Sequence, residues 1–238
     1  MKTVEVKISG KEVLRRVSRM FDNSQESLFL EIFQNGRRAG ATEIYVKELE
    51  DGIVIGNNGR PITDFQNLLT FGKSDWEEDV DYEDPAGVGF FATTLCDKVI
   101  VSSYLDGEGK EVEIKTNSLS VEGHKFHLKK VNLESKHFEH STVEYTLKGN
   151  FMPLTISGKV GRENIEEIMA RLPTKMFIEE KGLLREVKNI YDANIKNLVF
   201  DFKFNNLRYR IYNKYSFFPT TFPTNSHNTF LNYFGHII

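Results

Sequence analysis

The chain has one cysteine, Cys96, among 238 residues. A single thiol excludes an intramolecular disulfide and any cysteine-rich metal site, and it fits a reducing compartment. Long apolar runs are missing too. No stretch approaches the ~20 residues a membrane-spanning helix needs, and the opening MKTVEVKISG has no apolar signal core. Charge of neither sign dominates: 31 Lys+Arg face 34 Asp+Glu, so no global field draws the protein to nucleic acid or anionic lipid. His124 with His127, and His137 with His140, are spaced by three. On strands that spacing sends the paired rings to opposite faces, and no cysteine or clear carboxylate completes a ligand set, so zinc is not expected. These absences leave a cytoplasmic, soluble helix-and-sheet protein, long enough to bury a sizeable core in one domain or one domain with an appendage.

Apolar periodicity supplies the elements. TVEVKISG alternates as a half-buried strand, and KEVLRRVSRMF has the spacing of a short amphipathic helix. Ser24 has the side chain of an N-cap. Leu28, Ile32 and Ala39 keep helical spacing behind it up to Gly40, a good stop. Ile44, Val46, Ile53 and Ile55 are spaced by twos around Glu50-Asp51-Gly52, which predicts a hairpin. A brief helix is expected from Thr63. Between Asp75 and Asp84 stand seven carboxylates with little apolar content to pack, so residues 72–89 read as a lid. A helix from Phe90 to about Cys96 follows, then strands in KVIVSSYL, EVEIKTN, HKFHLKKV and STVEYTL, with a turn at Asp106-Gly107. RENIEEIMARL is amphipathic, and KMFIEE, NLVFDFKF and LRYRIY close the series of strands.

On the helix after Ser24, Glu31, Asn35 and Arg38 fall at i, i+4 and i+7 and share one stripe. A carboxylate, an amide and a guanidinium converge there, in a pattern that also suits a plain solvated face. Two glycine turns follow, GNNG at 56–59 and AGVGFF at 86–91. Gly87 and Gly89 let backbone N–H groups approach an anion closely, at the start of a helix whose N-terminal end carries positive potential. FGKS at 71–74 has the look of the end of a Walker A loop, but the position of that loop's first glycine is Asn67, and Asp75 and Trp76 follow, so the Walker reading is rejected. Lys73 can still reach a phosphate from the lid.

In this order EIFQNGRRAGAT, GNNGRPI, TFGKSDW and DPAGVGFFATTLCDKVIV resemble the successive boxes of the GHKL, or Bergerat-fold, ATP-binding superfamily. It includes gyrase-type topoisomerases, the heat-shock chaperone of ninety kilodaltons, histidine kinases and MutL repair proteins. The likeness spans roughly residues 24 to 148. NGRRAGAT with FGKSDW and EDPAGVGFF further resembles a less characterised bacterial subgroup of ATP-binding proteins.

The resemblance implies an α+β fold, a two-layer sandwich of a mixed, mostly antiparallel sheet covered on one face by helices. It implies ATP and Mg²⁺ as ligands. Glu31 matches the residue that orients and deprotonates the attacking water, and Asn35 matches the magnesium ligand. Lys73, Ser74, Gly87, Val88, Gly89 and Phe90 fall in the boxes that enclose phosphate. Asn57 and Gly59 fall in the base-binding turn, and Ser141 matches a hydroxyl that reaches the base through water.

Two positions depart from the family pattern. Asn57 stands where an aspartate accepts from the exocyclic amine, with Pro61 in place of the second glycine. Its amide can accept through oxygen or donate through nitrogen. Arg38 stands where an aspartate is common, and it can pair with the acidic lid or lean towards phosphate. Slow ATP hydrolysis is the first functional expectation. The alternatives are a nucleotide-responsive binding module that meets a protein partner or a second copy of the chain, and a scaffold that has lost its ligand.

Residues 1–200 are expected to form the ATP-binding domain. No acidic residue follows Asp201, and residues 201–238 read as a strand and tail, the start of a further region of a longer chain. There Arg208, Arg210 and Lys214 lie among Tyr209, Tyr212 and Tyr215, a mixture able to stack on single-stranded nucleic acid. An amphipathic edge strand, with Leu207, Tyr209 and Ile211 on one face, is the favoured reading.

Overall fold

The computed structural model describes residues 24–70, 89–120, 124–152, 154, 164–189, 198–204, 207–212, 232–233 and 236–237. The strand expected in TVEVKISG, the helix in KEVLRRVSRMF and the lid up to Val88 lie outside them. The chain divides into two compact units, Met1–Phe151 and Met152–Ile238. The last strand of the first unit ends at Lys148, and Gly149 after it takes φ +150°.

In the first unit, helix α1 (Gln25–Arg38) begins where Ser24 Oγ accepts from the Ser27 N–H at 3.0 Å, the cap its sequence promised. It stops at Gly40, whose φ of +79° is left-handed. Leu28, Phe29, Leu30, Ile32 and Phe33 are buried along it. Burying each such side chain stabilises the fold by about 1.5–3 kcal/mol, more than a helix of this length gains from propensity.

Strands β1 (Glu43–Leu49), β2 (Gly52–Asn57), β3 (Lys98–Leu105), β4 (Glu108–Lys115), β5 (Leu128–Val131) and β6 (Val143–Lys148) follow. They lie in the order β5-β4-β3-β6-β2-β1, and every recorded pairing is antiparallel. The predicted Asp106-Gly107 turn joins β3 to β4 with both residues at positive φ, as a tight hairpin requires.

Register fixes which side chains face α1. A Cβ on Gly36 would lie 3.3 Å from both Asn57 and Ile44, so α1 presses on that side of β1 and β2. Partnered residues share a face. Ile44 pairs with Asn57, and Asn57 with Val143. Ile55 pairs with Tyr145, and Tyr145 with Val101. This face is the apolar core. Gly36 costs about 1 kcal/mol of helix propensity relative to alanine, offset by the close approach it permits. The fold is therefore an α+β sandwich, a helical layer on one face of an antiparallel sheet.

Two expected helices take a tighter form. Residues Asn67–Leu69 make a single 3₁₀ turn, because Asp64 Oδ1 takes the Gln66 N–H at 2.9 Å and Thr70 Oγ1 bonds back to Gln66 O. Gly89–Leu95 is also 3₁₀, with Thr93 and Thr94 hydroxyls donating to the carbonyls three residues earlier.

In the second unit, α2 (Ile165–Ala170) starts at Asn164, whose side chain accepts from Glu167 N–H at 2.9 Å, and it buries Ile165, Ile168 and Met169. Strands β7 (Lys175–Glu180) and β8 (Leu183–Val187) form a hairpin turning at Lys181-Gly182, both at positive φ. Arg185 bridges Glu166 and Glu180 at 2.8 Å each. Strands β9 (Leu198–Phe204) and β10 (Leu207–Tyr212) make a second hairpin, so the LRYRIY segment is a strand. Among the described residues no helix is long and apolar enough to cross a membrane.

Candidate functional site

Helix α1 is buried along most of its circumference, but Glu31, Asn35 and Arg38 are only half-buried. Glu31 and Asn35 are one turn apart on the same side, which places their Cβ atoms about 6 Å from each other. Directly against Glu31 stands the second glycine turn: a Cβ built on Gly89 would fall 2.3 Å from Glu31 Oε2 and 3.2 Å from its Cδ. Only a residue without a side chain leaves the carboxylate where it is. The acid of α1 and the glycine that opens Gly89–Leu95 thus meet, across 58 residues of sequence.

The Glu31 carboxylate makes no hydrogen bond among the described residues. Burial pushes its pKa above the ordinary value of 4.5, and the charge of Arg38 partly opposes the shift. Perturbed, unpartnered acids of this kind are rare in structural roles, where a half-buried carboxylate ordinarily finds a donor. The Asn35 side chain likewise has no partner among the described residues. Arg37 is half-buried, and desolvation together with the neighbouring Arg38 charge lowers its pKa.

Asn57 lies on the same face, 3% exposed. Its Oδ1 accepts from the Gly59 N–H at 3.0 Å, while the two hydrogens on Nδ2 have no partner among the described residues. Gly59 is a packing residue here. A Cβ on it would lie 2.8 Å from the Ala39 Cβ, and next to it the Arg60 N–H donates to Ala39 O at 2.8 Å. The turn GNNG is thereby fastened to the end of α1. Asn58 completes the fastening, its Oδ1 accepting from the Thr42 and Glu43 N–H groups at 2.9 and 3.0 Å.

Ser141 is on the other side of the sheet. Gly56 and its register partner Glu144 face away from α1, and a Cβ on Gly56 would meet Phe138 at 2.7 Å and Ser141 Cβ at 3.2 Å. The Ser141 hydroxyl is within 2.6 Å of Glu144 Oε1. Glu144 is 2% exposed and also accepts from the His137 and Phe138 N–H groups at 3.1 and 2.9 Å. Phe138 stacks on Tyr45, centroids 5.3 Å apart. Ser141 therefore secures the 137–141 loop to the far face and does not converge with Asn57.

The hydroxyl at the GNNG turn belongs to its neighbour. Thr142 Oγ1 donates to Gly59 O and lies 3.2 Å from Asn57 O, and its N–H donates to Asn57 O at 2.7 Å. Sequence reading passed over Thr142, and also Tyr145. Tyr145 is 5% exposed on the α1 face, diagonal to Asn57 across β2 and β6, and its hydroxyl has no partner among the described residues.

Phe90 is buried beside Gly89, its ring edge-on to Phe91 at 6.2 Å. Lys73, Ser74, Gly87 and Val88 lie outside the described residues. Glu31, Asn35, Asn57, Gly89 and Phe90 thus fall on or against the α1 side of the sheet, where an acid, an amide oxygen and an amide N–H₂ are left unspent over an apolar floor. No protein-family model matches this chain, and comparison with curated proteins gives no match.

Proposed function

We propose that this protein binds a magnesium nucleoside triphosphate, ATP by its resemblance to the GHKL superfamily, and hydrolyses it slowly in the cytoplasm. The observation that carries the reading is the Glu31 carboxylate: half-buried, raised in pKa, without a hydrogen-bond partner among the described residues, and pressed against Gly89. A carboxylate made more basic by burial suits abstraction of a proton from water. Gly89 leaves room beside it, and the Arg38 charge helps to keep it ionised.

The Asn35 amide fits a magnesium ion, because Mg²⁺ takes hard oxygen donors, keeps several waters, and needs few protein ligands besides phosphate. When bound, the ion would neutralise phosphate charge, which with positioning is most of what phosphoryl transfer requires.

Phosphate release with Mg²⁺ and ATP, in wild type and Glu31→Ala, tests the proposal. Turnover should fall at least 100-fold while nucleotide binding, read by thermal shift, survives. Equal turnover in both proteins refutes the assignment of Glu31. Binding without turnover in the wild type leaves a nucleotide-responsive module instead of an enzyme.

A further inference from the structure

We propose that the hairpin of β9 and β10 is a self-association surface, on which two copies of this chain pack face to face. The surface belongs to the second unit, and it acts whether or not the chain binds a nucleotide.

Register sorts the hairpin into two unlike faces. Phe200 pairs with Ile211, Phe202 with Tyr209 and Phe204 with Leu207, and partnered residues share a face. These six residues, four of them aromatic, make one face of the ribbon. Asp201 with Arg210, and Lys203 with Arg208, make the other, so every charge of the paired segments stands on one side. A two-stranded ribbon is marginal by itself and becomes stable when its apolar face is covered. Yet Phe200 is 56% exposed and Phe202 39%, their rings edge-on at 5.4 Å.

Charge decides the occupant. None of the six residues can meet an ion, so an acidic or basic partner gains nothing there, and a second apolar face is the complement. Single-stranded nucleic acid needs cations beside the stacked rings, whereas Lys203, Arg208 and Arg210 stand on the opposite face. Two ribbons packed as sheets lie about 10 Å apart. Their cationic faces then end roughly 20 Å apart, past the ~8 Å screening length of physiological salt, so like charges do not oppose the pairing.

The area suits a weak dimer. A buried aromatic side chain contributes roughly 150–250 Å² over both sides, so four ring positions offer about 300–500 Å² on one face. With Leu207 and Ile211 added, two copies bury about 1,000 Å², the lower bound for a specific interface, and half-association near ~10 µM follows.

Sedimentation velocity on the full chain, from about 1 to about 200 µM, tests the proposal. The mass should climb with concentration towards twice that of the monomer. Phe200→Glu should weaken association at least ~100-fold, because a two-fold interface loses the ring twice and gains two charges. Asp201→Asn, on the outer face, should leave association unchanged. A wild type that stays monomeric throughout overturns the proposal, whatever else covers the face. Mass gained only when a thymidine oligonucleotide is added overturns it too, since the face then takes nucleic acid. So does a dimer that folded Phe200→Glu leaves undiminished. Should that variant not fold, Phe200→Ser, which adds no charge to an already exposed position, is read the same way, with a loss of about tenfold expected.

Discussion

Replacing Gly89 by alanine separates the site from the fold. The new methyl would fall 2.3 Å from Glu31 Oε2, well inside ordinary contact, and the nearby Glu31 Cδ at 3.2 Å blocks a simple slide past it. The backbone at Gly89 is not left-handed, so alanine adopts it without strain, and the obstruction is the end of a flexible side chain. Glu31 therefore gives way, retreating by about 1 Å, and a displacement of that size at a reacting group costs about 100-fold in rate. Stability should hold or rise slightly, because exchanging glycine for alanine at a compatible site removes freedom from the unfolded chain worth about 0.4–1 kcal/mol. Steady-state phosphate release at saturating Mg-nucleotide, measured beside urea unfolding, reads both quantities. Undiminished turnover would show that the carboxylate has no part in hydrolysis. A loss of several kcal/mol in stability would show instead that the contact between Glu31 and Gly89 is structural.

Glu31→Gln should stabilise the protein at neutral pH. Burial raises the folded-state pKa, so stability is greatest below the ordinary value of 4.5 and declines as pH rises through the raised one. The glutamine variant escapes that decline, and its advantage should vanish below pH 4.5 in thermal melts taken across pH. Wild-type turnover should climb over the same interval, since only the ionised acid takes a proton. On the far face, Glu144→Ala strips the acceptor from two N–H groups and a hydroxyl, and should cost about 3 kcal/mol in urea unfolding. Ser141→Ala should cost about 1 kcal/mol and leave nucleotide affinity unchanged, whereas Thr142→Val, which frees the Asn57–Gly59 turn, should weaken it; the opposite pattern would restore Ser141 to the site.

Features governed by neighbours in the chain were legible in the sequence. The Ser24 cap, the Gly40 stop and the hairpin of β1 and β2 each follow from local chemistry, and the stripe of Glu31, Asn35 and Arg38 follows from helical period alone. Strand β8 was not foreseen, because Leu183, Leu184, Arg185 and Glu186 do not alternate and all are exposed. Its signal was the Lys-Gly turn before it, with both residues at positive φ. The exchange of Ser141 for Thr142 was illegible for another reason. Which of two adjacent hydroxyls faces the helix depends on how the 137–141 loop crosses the sheet edge, and that is set by Gly56 admitting Phe138 and by Glu144 collecting three donors. Likewise the direction of the Asn57 amide depends on a bond within its own turn, which composition cannot reveal.

Cys96 closes the turn that Gly89 opens. It is 3% exposed, and burial pushes its thiol up to about 12, so the native state offers almost no thiolate to an electrophile. The protein thus contains its own reporter. With just one sulfhydryl in the chain, the speed at which a colourless disulfide reagent turns yellow counts how often this segment opens. Any compound that tightens the segment must slow the colour, with no label, tag or substitution introduced.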